Sequence, residues 1–357
     1  MNPATPPEVV FAIPGDLDTP TGGYVYDRRV IQELRDLGLT LTHMRLGSSF
    51  PHPTEEDTLD AATQLAAIDP ERVLMIDGLA LGALEPELLA QVHAPIVALV
   101  HHPLALEGHL DSFRREELHR IERDNLARCV AVIVTSDQTA EILTSDYGVP
   151  AQTITVARPG TDQPVNTHRP TSPPLIVSVG SQSRRKGHDV LIEALSHIDH
   201  LPWQAVIAGS VRDEAYSTEL HRMVHDLGVE DRVRLIGAVS PEQLQQLYSQ
   251  ASVFALATRF EGYGMVFDEA MTYGLPIVSC DTGAVPDTVA EGAGLLVPVD
   301  DPHAFSHALG SVLTDEKKRA SMAASSHDAG QLLPTWSDTA DIIARVLDGA
   351  RADRMES

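Results

Sequence analysis

The feature that most constrains this chain is a recurrence of short apolar runs, each about one strand long, separated by amphipathic or polar stretches. In the first half, VVFAIPG, LTLTHMRL, RVLMIDG, PIVALVHH, VAVIVTS and QTITVARPG have this character, with YVYDRRVIQELRDLG and SFRREELHRIERDNLARC carrying helical spacing between them. A polar, proline-rich stretch, PGTDQPVNTHRPTSPP, breaks the pattern at residues 159–174, and the alternation restarts with LIVSVGS, WQAVIAG, RVRLIGA, SVFALAT, PIVSCDT and GLLVPV. Apolar strands alternating with helices build parallel sheets covered on both faces. At 357 residues the chain also exceeds what one core usually supports. The sequence therefore predicts an α/β protein with two nucleotide-fold-like domains in tandem, residues 1–165 and 166–333, joined through a linker at 159–174. TWSDTADIIARVLDGA, after Pro334, reads as a terminal packing helix spanning 334–357. The N-terminus reads as a short tail leading into a strand.

Charge narrows the partners. The chain holds 51 acids against 26 bases, for a formal charge of −25. Its only lysines are Lys186, Lys317 and Lys318. Such a surface argues against sequence-independent binding of nucleic acid, which needs basic groups opposite phosphates. No apolar run approaches the roughly 20 residues of a membrane span, and the first residues lack the basic and apolar regions of a secretory signal. Cys129 and Cys280, the only cysteines, lie far apart in predicted core segments. That suits a reducing compartment, so a cytoplasmic location is expected, with peripheral association at the inner membrane face left open. SFRREELHRIERDNLARC interleaves its arginines with Glu116, Glu117, Glu122 and Asp124, and so reads as a solvated, ion-paired face rather than a membrane face.

Ligands of open parallel sheets bind outside the carboxyl ends of the strands, so the loops there carry the chemistry. In PGDLDTPTGGYVYDRR, Gly22 and Gly23 precede a helix and allow close backbone approach beside its free N–H groups. Asp16 and Asp18 form a DxD that reads as a turn before it reads as a metal site. In VALVHHPLALEG, His101 and His102 end a strand, where either could donate to a substrate hydroxyl or simply be hydrogen-bonded in the fold. VGSQSRRKGHDVLIEAL sets Arg184, Arg185, Lys186 and Gly187 before a helix, the largest local positive charge in the chain. It lacks the P-loop pattern but suits a phosphate or diphosphate.

The fourth loop, FEGYGMVFDEAMTYG, makes a turn at Gly262 and Gly264 and continues as a helix whose first amides point back at that turn. Glu261 sits at the turn and Glu269 about two helical turns along. Two separated carboxylates accept hydrogen bonds from the hydroxyls of two different sugar rings, which suggests a nucleotide sugar. The same stretch imitates a dinucleotide site, with Asp281 near the place of the ribose acid. Phe267, however, stands where that motif needs its third glycine.

On these residues the chain resembles the retaining glycosyltransferases of family GT4, which have the GT-B architecture. The resemblance rests on the E-x7-E element from Glu261 to Glu269 in EGYGMVFDEAMTYGLPIVSCDTGAVPDTV. It extends through VGSQSRRKG and AGLLVPVDD, and more weakly through the GGY loop and VTSDQTAEILTSDYGVP. It implies two Rossmann-like domains facing a central cleft, an N-terminal acceptor domain, a C-terminal donor domain, and a last helix crossing back to the first domain. It further implies a hexosyltransferase that moves a sugar from a UDP- or GDP-sugar to an acceptor hydroxyl of a lipid, glycan or small metabolite. No cofactor or metal would be required. Glu261 would hold donor-sugar hydroxyls, Glu269 the ribose, and Arg185 and Lys186 the diphosphate, with Arg184 and Gly180 beside them. Gly23 would approach the same phosphates, and His102 would be the active-site histidine near the transferred sugar. Gly262, Tyr263, Gly264, Met265 and Val266 would complete the anion site, with Val239 near the base. Two departures stand out: Gly180-Ser181 in place of GR, and GAVPD, with Asp287, in place of GGxPE. The alternatives of another class are a protein that binds or epimerises nucleotide sugars and, on the dinucleotide pattern, an NAD-dependent oxidoreductase.

Overall fold

A computed structural model describes residues 8–107 and 110–355; the tail at 1–7 and residues 108–109 and 356–357 lie outside the described residues. The chain divides into two compact units. The N-terminal unit comprises Met1–Gly160 together with Pro334–Ser357, and the C-terminal unit comprises Thr161–Leu333.

All twelve apolar runs form strands. In the N-terminal unit they are β1 (Glu8–Pro14), β2 (Thr40–Leu46), β3 (Val73–Asp77), β4 (Ile96–Val100), β5 (Ala131–Val134) and β6 (Ile154–Val156). They pair in parallel in the order β2-β1-β3-β4-β5-β6, with Val9 opposite Val73 and Ala98 opposite Val132. β3 and β4 are buried at every residue, the mark of strands covered on both faces. The helices are α1 (Gly22–Asp36), α2 (Glu55–Ala66), α3 (Gly78–Leu81), α4 (Pro86–Leu89), α5 (Ser112–Leu126) and α6 (Asp137–Ser145). Their starts are set by local chemistry: Thr21, Thr54, Asp77, Asp111 and Ser136 each accept a backbone N–H of the first turn of α1, α2, α3, α5 and α6.

The C-terminal unit repeats the plan with β7 (Leu175–Val179), α7 (His188–Ser196), β8 (Gln204–Ala208), α8 (Glu214–Asp226), β9 (Val233–Ile236), α9 (Pro241–Gln250) and β10 (Val253–Leu256). It continues through α10 (Met265–Thr272), β11 (Ile277–Cys280), α11 (Val285–Thr288), β12 (Gly294–Val297), α12 (Pro302–Thr314) and α13 (Glu316–Gly330). Its sheet order is β12-β11-β10-β7-β8-β9, all parallel. Before β7 the proline-rich stretch runs along α9, where the Arg169 and Thr171 amides donate to the Ser249 and Gln250 carbonyls.

In each sheet the first strand in sequence lies inside the order, so successive connections leave on opposite sides of it. The loops after β1 and β3 diverge in one unit and those after β7 and β10 in the other, opening a crevice at each switch point. The histidine pair follows β4, the strand next to β3, and the basic loop and the glycine turn follow β7 and β10.

The last helix, α14 (Trp336–Met355), packs against α1 and touches β3, β4 and β5. Trp336 is buried, edge-on to Tyr26 at 5.7 Å, with the Arg29 guanidinium 5.3 Å over its ring. The Thr339 hydroxyl donates to the Arg158 carbonyl at 2.7 Å. No helix among the described residues is long and apolar enough to cross a membrane.

α5 departs from its sequence reading at one residue. Arg114 pairs with Glu117 and Arg123 with Asp124 on the exposed face, but Glu122 is fully buried and accepts the Leu104 amide at 3.0 Å. Burial pushes its carboxyl up to about 8.

Candidate active site

In the C-terminal unit the basic loop and the glycine turn are brought together by backbone contact. Gly187 has φ +62°, and a Cβ there would lie 1.8 Å from the Ala257 carbonyl oxygen, so only glycine lets the loop press against the end of β10. The Arg259 amide then donates to the Arg185 carbonyl at 2.8 Å.

Around this junction Lys186 Nζ donates to Glu261 Oε1 at 2.7 Å, and Arg185 Nη1 reaches the Phe260 carbonyl at 2.9 Å and Glu261 Oε2 at 3.4 Å. The Thr258 hydroxyl lies 2.9 Å from Glu261 Oε1. Glu261 is only 4% exposed. Burial alone would raise its carboxyl, but the charges of Lys186 and then Arg185 outweigh it and hold the group below the usual range. The lysine stem crosses Gly180, where a Cβ would come within 3.1 Å of Lys186 Cδ. Two cations thus stand on one anchored carboxylate.

Gly264, at φ +91°, starts α10, and a Cβ there would meet the Phe267 ring at 2.6 Å. Phe267 is fully buried edge-on against Phe254, while Asp281 is exposed. The dinucleotide reading thus meets a packed aromatic ring where its motif needs a glycine. Tyr263 folds its hydroxyl back to donate to Asp268 Oδ2 at 2.6 Å, so near the turn it offers backbone rather than a phenol. Met265 and Val266 occupy the first turn of α10. Further along, Tyr248 donates to Glu269 Oε2 at 2.7 Å; burial pushes the Glu269 carboxyl up to about 7 against that bond. Val239 is half-buried just before the Ser240 cap of α9. Asp287 is exposed on α11, whereas its loop reaches the site through the Ala284 amide, which donates to the Glu261 carbonyl at 2.9 Å.

Arg184 is not gathered in. It pairs with Glu219 at 2.6 Å and stacks 5.0 Å over Tyr216 on α8, so the cluster consists of Arg185 and Lys186. The sequence reading passed over two supports. His188 is fully buried with Nε2 3.1 Å from the Gly180 carbonyl, and burial pushes it down to about 4, so it is neutral and ties the start of α7 to the loop. Arg259 links Asp189 and Asp300 at 2.8 and 2.7 Å. A histidine right after a K-G turn and an arginine just past a strand end were the signals for His188 and Arg259.

In the N-terminal unit, Asp16 Oδ1 accepts the Asp18 amide at 3.0 Å, the turn role expected of that DxD. The two histidines diverge. His102 Nε2 lies 2.6 Å from Glu107 Oε1. His101 lies against the glycine loop, its Cδ2 3.3 Å from where a Gly23 Cβ would stand, and its Nε2 is 3.1 Å from Asp27 Oδ1 and 3.7 Å from Asp77 Oδ2. The residue gathered with Gly23 is therefore His101, where the resemblance had selected His102. Adjacent residues at a strand end point to opposite sides, and the second ring pairs with Glu107 of the loop after β4. Asp27 and Asp77 were not foreseen; the one signal was an acid on the α1 face that carries Tyr26, Val30 and Leu34.

A family model described as glycosyl transferases group 1 matches residues 161–328, and one described as Glycosyltransferase Family 4 matches residues 72–163. Over 230 residues the chain is 30% identical to the D-inositol 3-phosphate glycosyltransferase of Xylanimonas cellulosilytica, covering 59% of this chain and 55% of that protein. The chain thus spans about half the length of that curated relative. In structure it is similar to sucrose-phosphate synthase from Thermosynechococcus elongatus, with a TM-score of 0.80 and 20% identity over 98% of this chain and 100% of the other. It is also similar to Anabaena HepE in complex with UDP and glucose, at 0.75 and 17% over 96% and 99%. These structural likenesses establish the GT-B fold with its two Rossmann-like domains. With one family match ending where the next begins, and with the fold in agreement, the chain belongs to the family 4 glycosyltransferases.

Proposed function

We propose that this protein transfers a sugar from a nucleoside-diphosphate sugar to an acceptor hydroxyl, with the anomeric configuration retained. The observation that carries the proposal is the cluster of Lys186 and Arg185 on buried Glu261 beside the glycine turn that opens α10. Two cations and a helix N-terminus suit a diphosphate. The anchored carboxylate suits sugar hydroxyls, and Glu269, already accepting one hydroxyl from Tyr248, suits the diol of a ribose. In this reading Gly180 admits the lysine stem, Val239 lies near the base, and the backbone from Gly262 to Val266 receives phosphate oxygens. Within the N-terminal unit Gly23 offers a backbone surface and the adjoining His101 an imidazole.

The N-terminal unit is proposed to take the acceptor and the C-terminal unit the donor. As the bond to the sugar breaks, charge gathers on the departing phosphate, where Lys186, Arg185 and the helix amides stabilise it. A preorganised donor of this kind contributes about 3–4 kcal/mol. The acceptor attacks from the face the phosphate leaves, and the phosphate takes its proton, so neutralisation by protein groups replaces a metal. The donor is a UDP- or GDP-sugar. A polyol phosphate is the first acceptor to test, with a lipid acceptor at a membrane surface as the second.

The test is nucleoside-diphosphate release from a panel of nucleotide sugars, with and without acceptors, in the presence of a chelator. Lys186→Ala is expected to lower turnover roughly 100-fold or more with the fold intact. Near-normal turnover in that variant, or a strict metal requirement, would overturn the mechanism. Epimerised donor without transfer would overturn the reaction class.

A further inference from the structure

Asp77 ends β3 and His101 follows β4, the central strands of the N-terminal sheet, and Asp27 stands beside them on α1. One oxygen of each acid and one nitrogen of the histidine lie within 4.8 Å of one another. We infer that Asp27 and Asp77 are positioning residues, a two-carboxylate clamp that fixes His101 as its Nε2–H tautomer and presents Nδ1 to the acceptor that this unit takes. This rests on the sugar-transfer reading for what Nδ1 meets, but the clamp itself is testable without it.

The ring is held on several sides. Tyr26 meets it edge-on at 5.2 Å and is itself locked by its hydroxyl, which donates to the Ala157 carbonyl at 2.9 Å. Gly23 abuts the Cδ2–Nε2 edge, where any side chain would displace the ring. Both carboxylates sit at Nε2, Asp27 Oδ1 at 3.1 Å and Asp77 Oδ2 at 3.7 Å, while Asp77 Oδ1 is tied to the Leu79 amide at 2.9 Å. An Nε2 facing two carboxylates carries its proton. Nδ1 makes no hydrogen bond among the described residues, and the side chain keeps 20% of its surface exposed.

The arrangement costs stability. Asp27 is 1% exposed and its Oδ2 has no hydrogen-bond partner, so a buried carboxylate is maintained for one bond to one histidine. Buried charge of this kind is poor at stabilising folds and is concentrated where chemistry needs it. The charged or titratable groups facing the cluster are Asp27 and Tyr26 from α1, Asp77 from the end of β3, and His43 from β2, which feels the Asp27 charge. For His101, burial opposes protonation, but Asp27 and then Asp77 outweigh it and raise its proton affinity. Burial and the Asp27 charge push the Asp77 carboxyl up to about 7.

The test is long-range proton–nitrogen NMR of the full chain, with the His101 ring assigned by the signal lost in H101Q. The expected wild-type ring titrates above the ordinary histidine value of about 6.5 and is protonated at Nε2 when neutral. D27N and D77N should each lower that midpoint, because an amide keeps the hydrogen bond but loses the charge. D77N guards against a folding failure of D27N, since asparagine caps the Leu79 amide as aspartate does. An Nδ1–H tautomer in the wild type, or unchanged midpoints in both variants, would overturn the clamp. In steady state, D27N should lower kcat roughly tenfold, with the donor KM held and the pH profile displaced in step with the NMR midpoint. A clamp seen by NMR with no transfer from any donor would leave the clamp standing and refute the sugar-transfer reading; transfer with kcat unchanged in D27N would refute the catalytic use of the clamp.

Discussion

Removing the Lys186–Glu261 contact in a double-mutant cycle tests whether the two loops of the C-terminal unit act as one site. At 2.7 Å and an effective dielectric of about 20, the gross attraction is about 6 kcal/mol. Both side chains are nearly out of water, at 11% and 5% exposure, so screening by solvent is slight but desolvation offsets roughly half of that attraction. A coupling energy of about 3 kcal/mol is expected. E261A alone should cost about 3–5 kcal/mol, since it strands the ammonium and the Arg185 guanidinium. The double variant E261A/K186A should fall short of the summed single losses by the coupling energy. Urea unfolding read by Trp203, buried in the C-terminal unit, is the assay, with W336F removing the other tryptophan. Because the Glu261 carboxyl is depressed, its contribution is fully present above the unfolded value of about 4.5 and is lost as pH falls through the folded value. Single losses that add within about 0.5 kcal/mol would refute the coupling.

Two further outcomes follow from burial and backbone geometry. With the Glu122 carboxyl raised from 4.5 to about 8, folding takes up a proton, so wild-type stability should fall by about 3 kcal/mol between pH 4.5 and 7 relative to E122Q; a pH-independent difference between the two in chemical denaturation would rule this out. Gly187→Ala should cost more than about 2 kcal/mol and weaken nucleoside-diphosphate binding by calorimetry, because a Cβ at φ +62° meets the Ala257 carbonyl; an unchanged melting temperature would contradict it.

The strands were legible because parallel sheets bury both faces, which leaves nearly unbroken apolar runs such as VLMID and IVALV. The glycine turn and the RRK loop were legible because backbone conformations and charge concentrations of that kind are rare in a chain with three lysines. What escaped was side-chain direction. Arg184 and Arg185 are neighbours, yet one turns to Glu219 and the other to Glu261, a choice set by the short 3-10 turn at Arg184–Lys186. His101 and His102 part in the same way. Glu122 reads as one more acid in an ion-paired helix, and only the packing of α5 under the loop after β4 shows that it faces inward. Buried Asp27 was hidden because a helix face tolerates a lone acid in any sequence pattern, and its reason for being there lies 74 residues away.

The return of α14 to the N-terminal unit sets an order of events during synthesis. The surface of α1 that receives Trp336 is complete once Gly160 has left the ribosome, but it stays uncovered while the whole C-terminal unit is made. The C-terminal unit, continuous in sequence, has all its residues before α14 exists, whereas the N-terminal unit closes only when residues 336–355 emerge. A nascent chain stalled between those points leaves the α1 face around Tyr26 without the Trp336 ring that covers it, and the last helix is the element that completes the unit.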